Sequence, residues 1–524
     1  MKILRRISSY QLSIAGLFAL ALFLLVWKLG MRSFWTDEWY GFRFFDMGFF
    51  EYLTYYWKHP DNHPPLFYAI STALVQWIGK HDFVVRVPGV IGGVWAFIMS
   101  GFLIKQTIKE QRENIMFIAL AFIATAPYLI LIGQTARYFS LAAGAGLTVL
   151  FALLKLIEKP TRVRGLFYGF SLVLAGYIDY PTLLYVVMGS ASIMGLHYYR
   201  TRGIRVLKTW FFSSAVAALL LLPLAPIVIA EAKAEALSGP DVLSGGLVAW
   251  ILRLLAYGYG VSHGMISGPL GIVTVIWIVA IIIVAAMLIH GRNKKFLLKD
   301  LHYIILFGLV VLLCNTFVFA VLERYSPIAF PRYALMYVYL FFIVLSALFV
   351  RLASHRWVSM LLVTLVLAAH MNGLFGYYDQ SQYVDATFFG DSKEMFEFVK
   401  DNAEPGDALL ISDDLPQDVY NWYKDRYFEG LVIYDGRIEP PSDRIWVVAI
   451  AHDTPGNSMG SETRAAELVH RLGDKQWHIT KRNAGSPLSD EVVAIKNGLL
   501  PFDSYIYKVG AFLIERRVEP IEDL

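Results

Sequence analysis

Eleven apolar stretches recur along the chain, most of them close to the length needed to cross a bilayer, and this leaves few ways to fold outside a membrane. They lie at about 12–30, 87–104, 114–132, 138–157, 165–178, 181–199, 209–230, 268–290, 302–322, 333–350 and 358–374. Composition agrees, since 57% of the 524 residues are hydrophobic and 17% are charged, against roughly a quarter charged in soluble domains. The net charge of +4 is small and unevenly spread, and gives no support to nucleic-acid binding. One cysteine, Cys314, excludes an internal disulfide framework and a cysteine-based metal site. Lys2, Arg5 and Arg6 ahead of the first stretch resemble a secretory leader, but the bulky, basic segment 27–32 has no small-residue cleavage site. The stretch is therefore read as a first transmembrane helix.

A twelfth apolar segment, 64–79, opens with Pro64-Pro65 and contains Gln76. Charge decides whether it crosses. If it does not, every odd loop is cytoplasmic, and these loops hold Lys105, Lys109 and Arg112, then Lys155, Lys159, Arg162 and Arg164, then Arg200, Arg202, Arg205 and Lys208. Arg292, Lys294, Lys295 and Lys299 follow, then Arg351 and Arg356. If it does cross, the positive-inside rule fails throughout. The expected topology is an integral plasma (inner) membrane protein with eleven spans, its N-terminus cytoplasmic and its C-terminus outside. The first extracytoplasmic loop, about 31–86, then carries in-plane helices, and the spans make up a domain over residues 1–376.

Residues 377–524 change character. Asp391 to Asn402 reads as an amphipathic helix, Glu404-Pro405-Gly406-Asp407 as a turn, and Ala408 to Ser412 as a buried strand. Strand-like runs at Gly430 to Tyr434, Arg444 to Ala449 and Tyr505 to Glu515, with a helix at Ser461 to Leu472, complete a small extracytoplasmic α/β domain. The glycines at 89, 92, 93, 144 and 146 sit inside apolar helices, where close helix packing explains them better than a phosphate cradle.

Sorted by this topology, Asp37, Glu38, Lys58, His59, Asp61, His63, Arg86, Arg137, Tyr138, Asp179, Arg324, Arg332 and Tyr333 fall at one membrane face. Charges at that depth are costly unless paired or hydrated, so an outward cavity lined by both signs is a candidate site. The acids supply a base and the arginines an anion site.

These residues carry a resemblance. Phe34-Trp35-Thr36-Asp37-Glu38, His63-Pro64-Pro65-Leu66-Phe67-Tyr68, Phe83-Val84-Val85-Arg86-Val87-Pro88, Ala136-Arg137-Tyr138 and Pro331-Arg332-Tyr333 occur in the order seen in GT-C glycosyltransferases. The membrane part resembles the branch of protein O-mannosyltransferases and lipid A aminoarabinose transferases, and the tail resembles that of bacterial relatives. The resemblance implies an inverting transfer of a sugar from a polyprenyl-phosphate carrier to a hydroxyl on a glycan, lipid or protein, with the first-loop Asp37 as base. It departs from the aminoarabinose branch at Asn62-His63, where that branch has glutamate and lysine.

Each assignment has a plainer competitor. Asp37 and Glu38 could cap a helix after the first span, with Glu38 otherwise orienting the site or binding a metal. Arg137 and Arg332 are assigned to the donor phosphate, with Tyr138 and Arg86 beside them; as interfacial arginines they would only snorkel at helix ends. His59, Asp61 and His63 form a substrate-loop candidate, and imidazole and carboxylate would suit a divalent ion, with Glu38 and His63 as weak ligands. Their spacing fits no zinc signature, so no cofactor is certain and a divalent metal ion stays open. The aromatics between Phe34 and Trp57 serve equally as an interfacial belt in contact with membrane lipid or as a groove for a polyprenyl chain. Asp179 reads as a helix cap. A transporter or flippase of a lipid-linked anion would also need an arginine-lined cavity, and it predicts helices broken at mid-membrane in both halves.

Overall fold

The computed structural model describes residues 8–59, 63–229, 300–322, 331–352, 356–378, 392–411, 417–434, 441–454, 457–458, 466, 469–470, 477–483 and 506–516. The chain forms two compact units: Met1–Leu29 with Met47–Val384, and Gly30–Asp46 with Asp385–Leu524.

The first unit is helical. α1 (Ser9–Val26) starts at a capping box, in which the Ser8 hydroxyl accepts from the Gln11 backbone N–H at 3.2 Å and the Gln11 side chain accepts in return from Ser8 N–H at 3.0 Å. After its last turn Lys28 adopts φ 58. Three side chains collect the carbonyls left at this end. Gln134 donates to Leu24, Leu25 and Trp27 at 2.9–3.1 Å, Arg86 donates to Leu29 at 3.0 Å, and the Tyr378 hydroxyl donates to Leu24.

α4 (Phe49–Lys58) and α5 (Leu66–Ile78) precede α6 (Val87–Thr107), α7 (Arg112–Thr125), α8 (Pro127–Gly133), α9 (Phe139–Glu158), α10 (Arg162–Ile178), α11 (Tyr180–Thr201) and α12 (Ile204–Leu221). Beyond them lie α13 (His302–Leu322), α14 (Met336–Leu352) and α15 (Arg356–Tyr378). Among the described residues five helices are long and apolar enough to cross a membrane, or six if the bent pair α7–α8 is one span. That pair turns by 58° at Ala126, where Pro127 disfavours a helical conformation in the residue before it. The expected stretch at 268–290 and the neighbouring loop lie outside the described residues. α5 has 13 residues; at about 1.5 Å per residue it is shorter than a hydrocarbon core of about 30 Å.

The glycines pack helices together, as their setting in apolar runs suggests. A Cβ on Gly92 would lie 2.2 Å from the backbone nitrogen of Leu141, and one on Gly89 2.6 Å from the carbonyl of Thr135. The Ser140 hydroxyl donates to the Gly89 carbonyl at 2.7 Å, so α6 and α9 meet backbone to backbone.

The second unit is an α/β domain. α16 (Ser392–Asn402) and α17 (Gln417–Tyr427) accompany a six-stranded sheet in the order β2 (Val432–Tyr434), β1 (Ala408–Ile411), β3 (Arg444–Thr454), β6 (Ile506–Arg516) and β5 (Trp477–Asn483), with β4 (Asn457–Ser458) paired to β3. β1 pairs parallel with β2 and β3, whereas β6 is antiparallel to both β3 and β5. Ala408, Ile445, Val447, Phe512 and Ile514 form the core. Most of the helix expected at Ser461 to Leu472 lies outside the described residues. The segment Gly30–Asp46 belongs to this unit and folds as α2 (Thr36–Trp39) and α3 (Phe42–Phe45).

Candidate active site

In the helical unit the expected motif residues converge on Arg137, which sits just ahead of α9 and is only 2% exposed. One arm of its guanidinium donates to the Tyr68 hydroxyl at 2.7 Å, and the other lies 2.7 Å from Nε2 of His63. A guanidinium has no acceptor, so His63 accepts through Nε2 and carries its proton on Nδ1. Pro64 and Pro65 lead directly into α5 and thereby place His63 and Tyr68 at the same helix entrance.

Arg137 lies over the rings of Tyr138 (5.3 Å) and Phe139 (5.8 Å). Arg332, on the 3-10 turn Pro331–Ala334, lies over Phe139 (5.5 Å) and Tyr333 (5.6 Å). Both guanidinium groups therefore face the same Phe139 ring, which stands edge-on to Tyr333 with centroids 5.5 Å apart. Aromatic faces hold a guanidinium while its N–H edge remains available to acceptors. Two buried cations on one apolar ring suit an anion.

Asp179 caps α11, as its position suggests, by accepting from the Thr182 N–H at 2.8 Å. Burial pushes its pKa up to about 6, while bonds from Thr182 and the positive charge of Arg137 oppose the rise. The next residue, Tyr180, brings its hydroxyl within 3.1 Å of that of Tyr56 on α4.

Outside the bundle interior, α4, α5 and α10 enclose a groove of about 800 Å³. Its lining is almost wholly apolar and includes Leu53, Trp57, Ile70, Trp77, Phe170 and Leu174. α5 thus presents Tyr68 to Arg137 and an apolar face to the groove.

In the α/β unit, Asp37 and Glu38 lie on α2. Glu38 is 1% exposed and accepts from the Trp35 N–H at 3.1 Å, so it caps its own helix, while Asp37 is half-buried. Among the described residues no three His, Cys, Asp or Glu side chains gather as a metal site.

No family model matches the sequence, and no curated protein is significantly similar to it. Solved structures do match. ArnT from Cupriavidus metallidurans bound to undecaprenyl phosphate aligns with a TM-score of 0.51 at 11% identity over 95% of this chain and 97% of that one. The same protein in the apo state aligns with a TM-score of 0.53 at 10% identity, over 96% and 98%. The chain has the GT-C fold. With its apolar helices, that fold makes it an integral membrane protein. The Archaeoglobus fulgidus oligosaccharyltransferase in the apo form, at a TM-score of 0.43 and 11% identity over 90% of this chain and 69% of that one, is too distant to carry an argument.

Within the GT-C fold the candidates separate. His63, Arg137, Tyr138 and Arg332 share one cluster, whereas Arg86 holds the end of α1. His59 stacks on Tyr55 with centroids 4.3 Å apart and is exposed, and Asp61 lies outside the described residues. Sequence reasoning did not assign Tyr68 and Phe139 to the site. Both stand inside or beside motifs that were recognised, but nothing in a linear motif indicates that a Phe ring will lie between two arginines.

Proposed function

We propose that the protein is an inverting glycosyltransferase that moves a sugar from a polyprenyl monophosphate to a hydroxyl acceptor at the extracytoplasmic membrane face. The observation that carries this reading is the buried pair Arg137 and Arg332 over one Phe139 ring, within a GT-C fold. Guanidinium forks match phosphate oxygens and keep their charge when buried, and a dianionic leaving group needs that charge most as the glycosidic bond breaks. The groove between α4, α5 and α10 offers an apolar bed for the polyprenyl chain on the far side of the helix that holds Arg137.

A phosphate is a good leaving group, so the enzyme needs no general acid, unlike a glycosidase that expels an alkoxide. Asp37 takes the proton of the acceptor hydroxyl as its oxygen attacks the anomeric carbon opposite the phosphate. The carbon–phosphate oxygen bond breaks, the electron pair leaves with the polyprenyl phosphate, and configuration inverts. Glu38 keeps the helix that carries Asp37 closed. His63 and Tyr68 hold Arg137, while Arg86 supports α1 rather than substrate.

The test is purified wild type and Asp37→Asn in lipid vesicles, supplied in turn with polyprenyl phosphoryl mannose, glucose, arabinose and aminoarabinose and a membrane lysate as acceptor source. The wild type releases polyprenyl phosphate from one of these donors, and the variant does so at least about 100-fold more slowly, as expected for loss of a general base. Equal transfer by both would overturn the mechanism. Movement of lipid across the vesicle by both proteins without sugar transfer would establish a flippase instead.

A further inference from the structure

The acidic turn of the first loop cannot hold its own shape. α2 and α3 have four residues each, far below the length at which an isolated helix persists in water. Their backbone bonds close single turns only: Glu38 N–H and Trp39 N–H reach the Trp35 carbonyl at 2.9 and 3.3 Å, Gly41 N–H the Glu38 carbonyl at 3.0 Å, and Phe44 and Phe45 N–H the Gly41 carbonyl at 2.9 and 3.2 Å. What surrounds them in the α/β unit is a set of large, fully packed rings. Phe42 lies 5.0 Å from Trp422 and 6.2 Å from Tyr423, and Phe45 lies 6.1 Å from Trp422. Phe34, just ahead of α2, meets Phe42 at 4.9 Å edge to face and Tyr423 at 6.4 Å. Phe34, Phe42, Phe45 and Tyr423 are all fully buried. At the entrance to the segment Lys393 adds two polar ties, its N–H to the Ser33 hydroxyl at 3.0 Å and its ammonium to the Gly30 carbonyl at 3.0 Å.

We propose that α17, through Trp422 and Tyr423, is a positioning element for Asp37, so that the tail domain is part of the machinery that places the base. This rests on the assignment of Asp37 as base. Rings on both sides of a two-turn segment fix its orientation more firmly than its backbone bonds can, because each ring is held by packing on several faces. General-base catalysis depends on that orientation, since a displacement of about 1 Å in a reacting group costs on the order of 100-fold in rate. Trp422 and Tyr423 touch no reacting atom and act only through α2 and α3.

The experiment compares Trp422→Ala with Trp422→Phe in the full-length protein in lipid vesicles. Amide hydrogen exchange in residues 36–46 is expected to rise about ten-fold or more in Trp422→Ala, to return toward wild type in Trp422→Phe, and to stay unchanged in α6 and α9. Unchanged exchange in residues 36–46 overturns the inference, and this measurement requires no substrate. The second arm uses the donor that the wild type turns over. Trp422→Ala lowers kcat about ten-fold with KM for that donor within about two-fold, and adds nothing further when combined with Asp37→Asn. A full ten-fold loss on top of Asp37→Asn would mean that Trp422 acts on the fold in general and would overturn the inference alone. Full activity of Asp37→Asn by itself would remove the base assignment and with it any role through Asp37, even where the exchange data stand.

Discussion

Arg137 has two arms, and both are engaged: Tyr68 on one side and His63 on the other fix its plane before any ligand arrives. Lysine would keep the charge and lose the fork. Arg137→Lys should therefore lower polyprenyl-phosphate release by about 10- to 100-fold, the equivalent of roughly 1.5–3 kcal/mol for a charge-assisted hydrogen-bonded site, whereas Tyr68→Phe should cost less than about ten-fold. Steady-state rates of the two variants check this ordering, and the reverse order would place Tyr68 on the substrate instead. Asp179 makes a separate prediction in stability. Its folded pKa, about 6, lies above the ordinary carboxylate value of 3.8. The folded state thus binds the proton more tightly than the unfolded state, and stability falls as pH rises from about 4 to about 6. The span corresponds to an effect on the order of 3 kcal/mol. In Asp179→Asn, thermal midpoints in detergent measured across that window should flatten relative to wild type. An unchanged slope would assign the pH dependence to other groups.

At the scale of elements, α6 and α9 meet at a contact that allows no side chain. A Cβ at Gly92 would meet the backbone of Leu141 at 2.2 Å, and a backbone cannot rotate away as a side-chain tip can. Gly92→Ala is expected to lower stability by about 1–3 kcal/mol, seen as an earlier thermal transition, while Gly16→Ala, which meets nothing within 4 Å, should not destabilise the protein. This packing was legible in the sequence because small residues spaced along an apolar run have one common use in a membrane helix. The apolar stretches at 87–104, 138–157, 302–322 and 333–350 likewise became α6, α9, α13 and α14 within a few residues of their expected ends. In the tail hydropathy missed α17 and β5, besides the two-residue β4. α17 is QDVYNWYKDRY, whose polar and aromatic residues give only a modest apolar stripe although Val419, Trp422 and Tyr423 are buried. β5, WHITKRN, alternates weakly and is identified as a strand only by pairing with β6.

Across the whole molecule, the lesson of the first loop is that chain order and structural membership differ. Gly30–Asp46 follows the first helix in sequence but belongs with residues some 350 positions later, as the bonds from Lys393 to Gly30 and Ser33 record. No local pattern reveals that. Phe34, Phe42 and Phe45 read as an interfacial belt until Trp422 and Tyr423 are placed against them. If the tail holds the turn, then the base depends on the stability of the sheet as well as on α17. The sheet offers a way to test this far from Asp37. Asp407 is buried and accepts from Arg444 Nε at 2.9 Å, Trp446 Nε1 at 2.9 Å and the Glu404 N–H at 3.0 Å, tying the start of β1 to β3. Asp407→Ala leaves those donors without this acceptor. Because Arg444 is partly exposed and retains Glu515, the cost should be on the order of 2 kcal/mol, below that of a fully buried pair. Pulse proteolysis should show the tail of Asp407→Ala opening at lower denaturant while the helices of the membrane unit hold, and transfer activity should fall in step with the intact fraction of the tail. A tail that opens while activity stays at the wild-type level would show that the turn carrying Asp37 is held by something other than this domain.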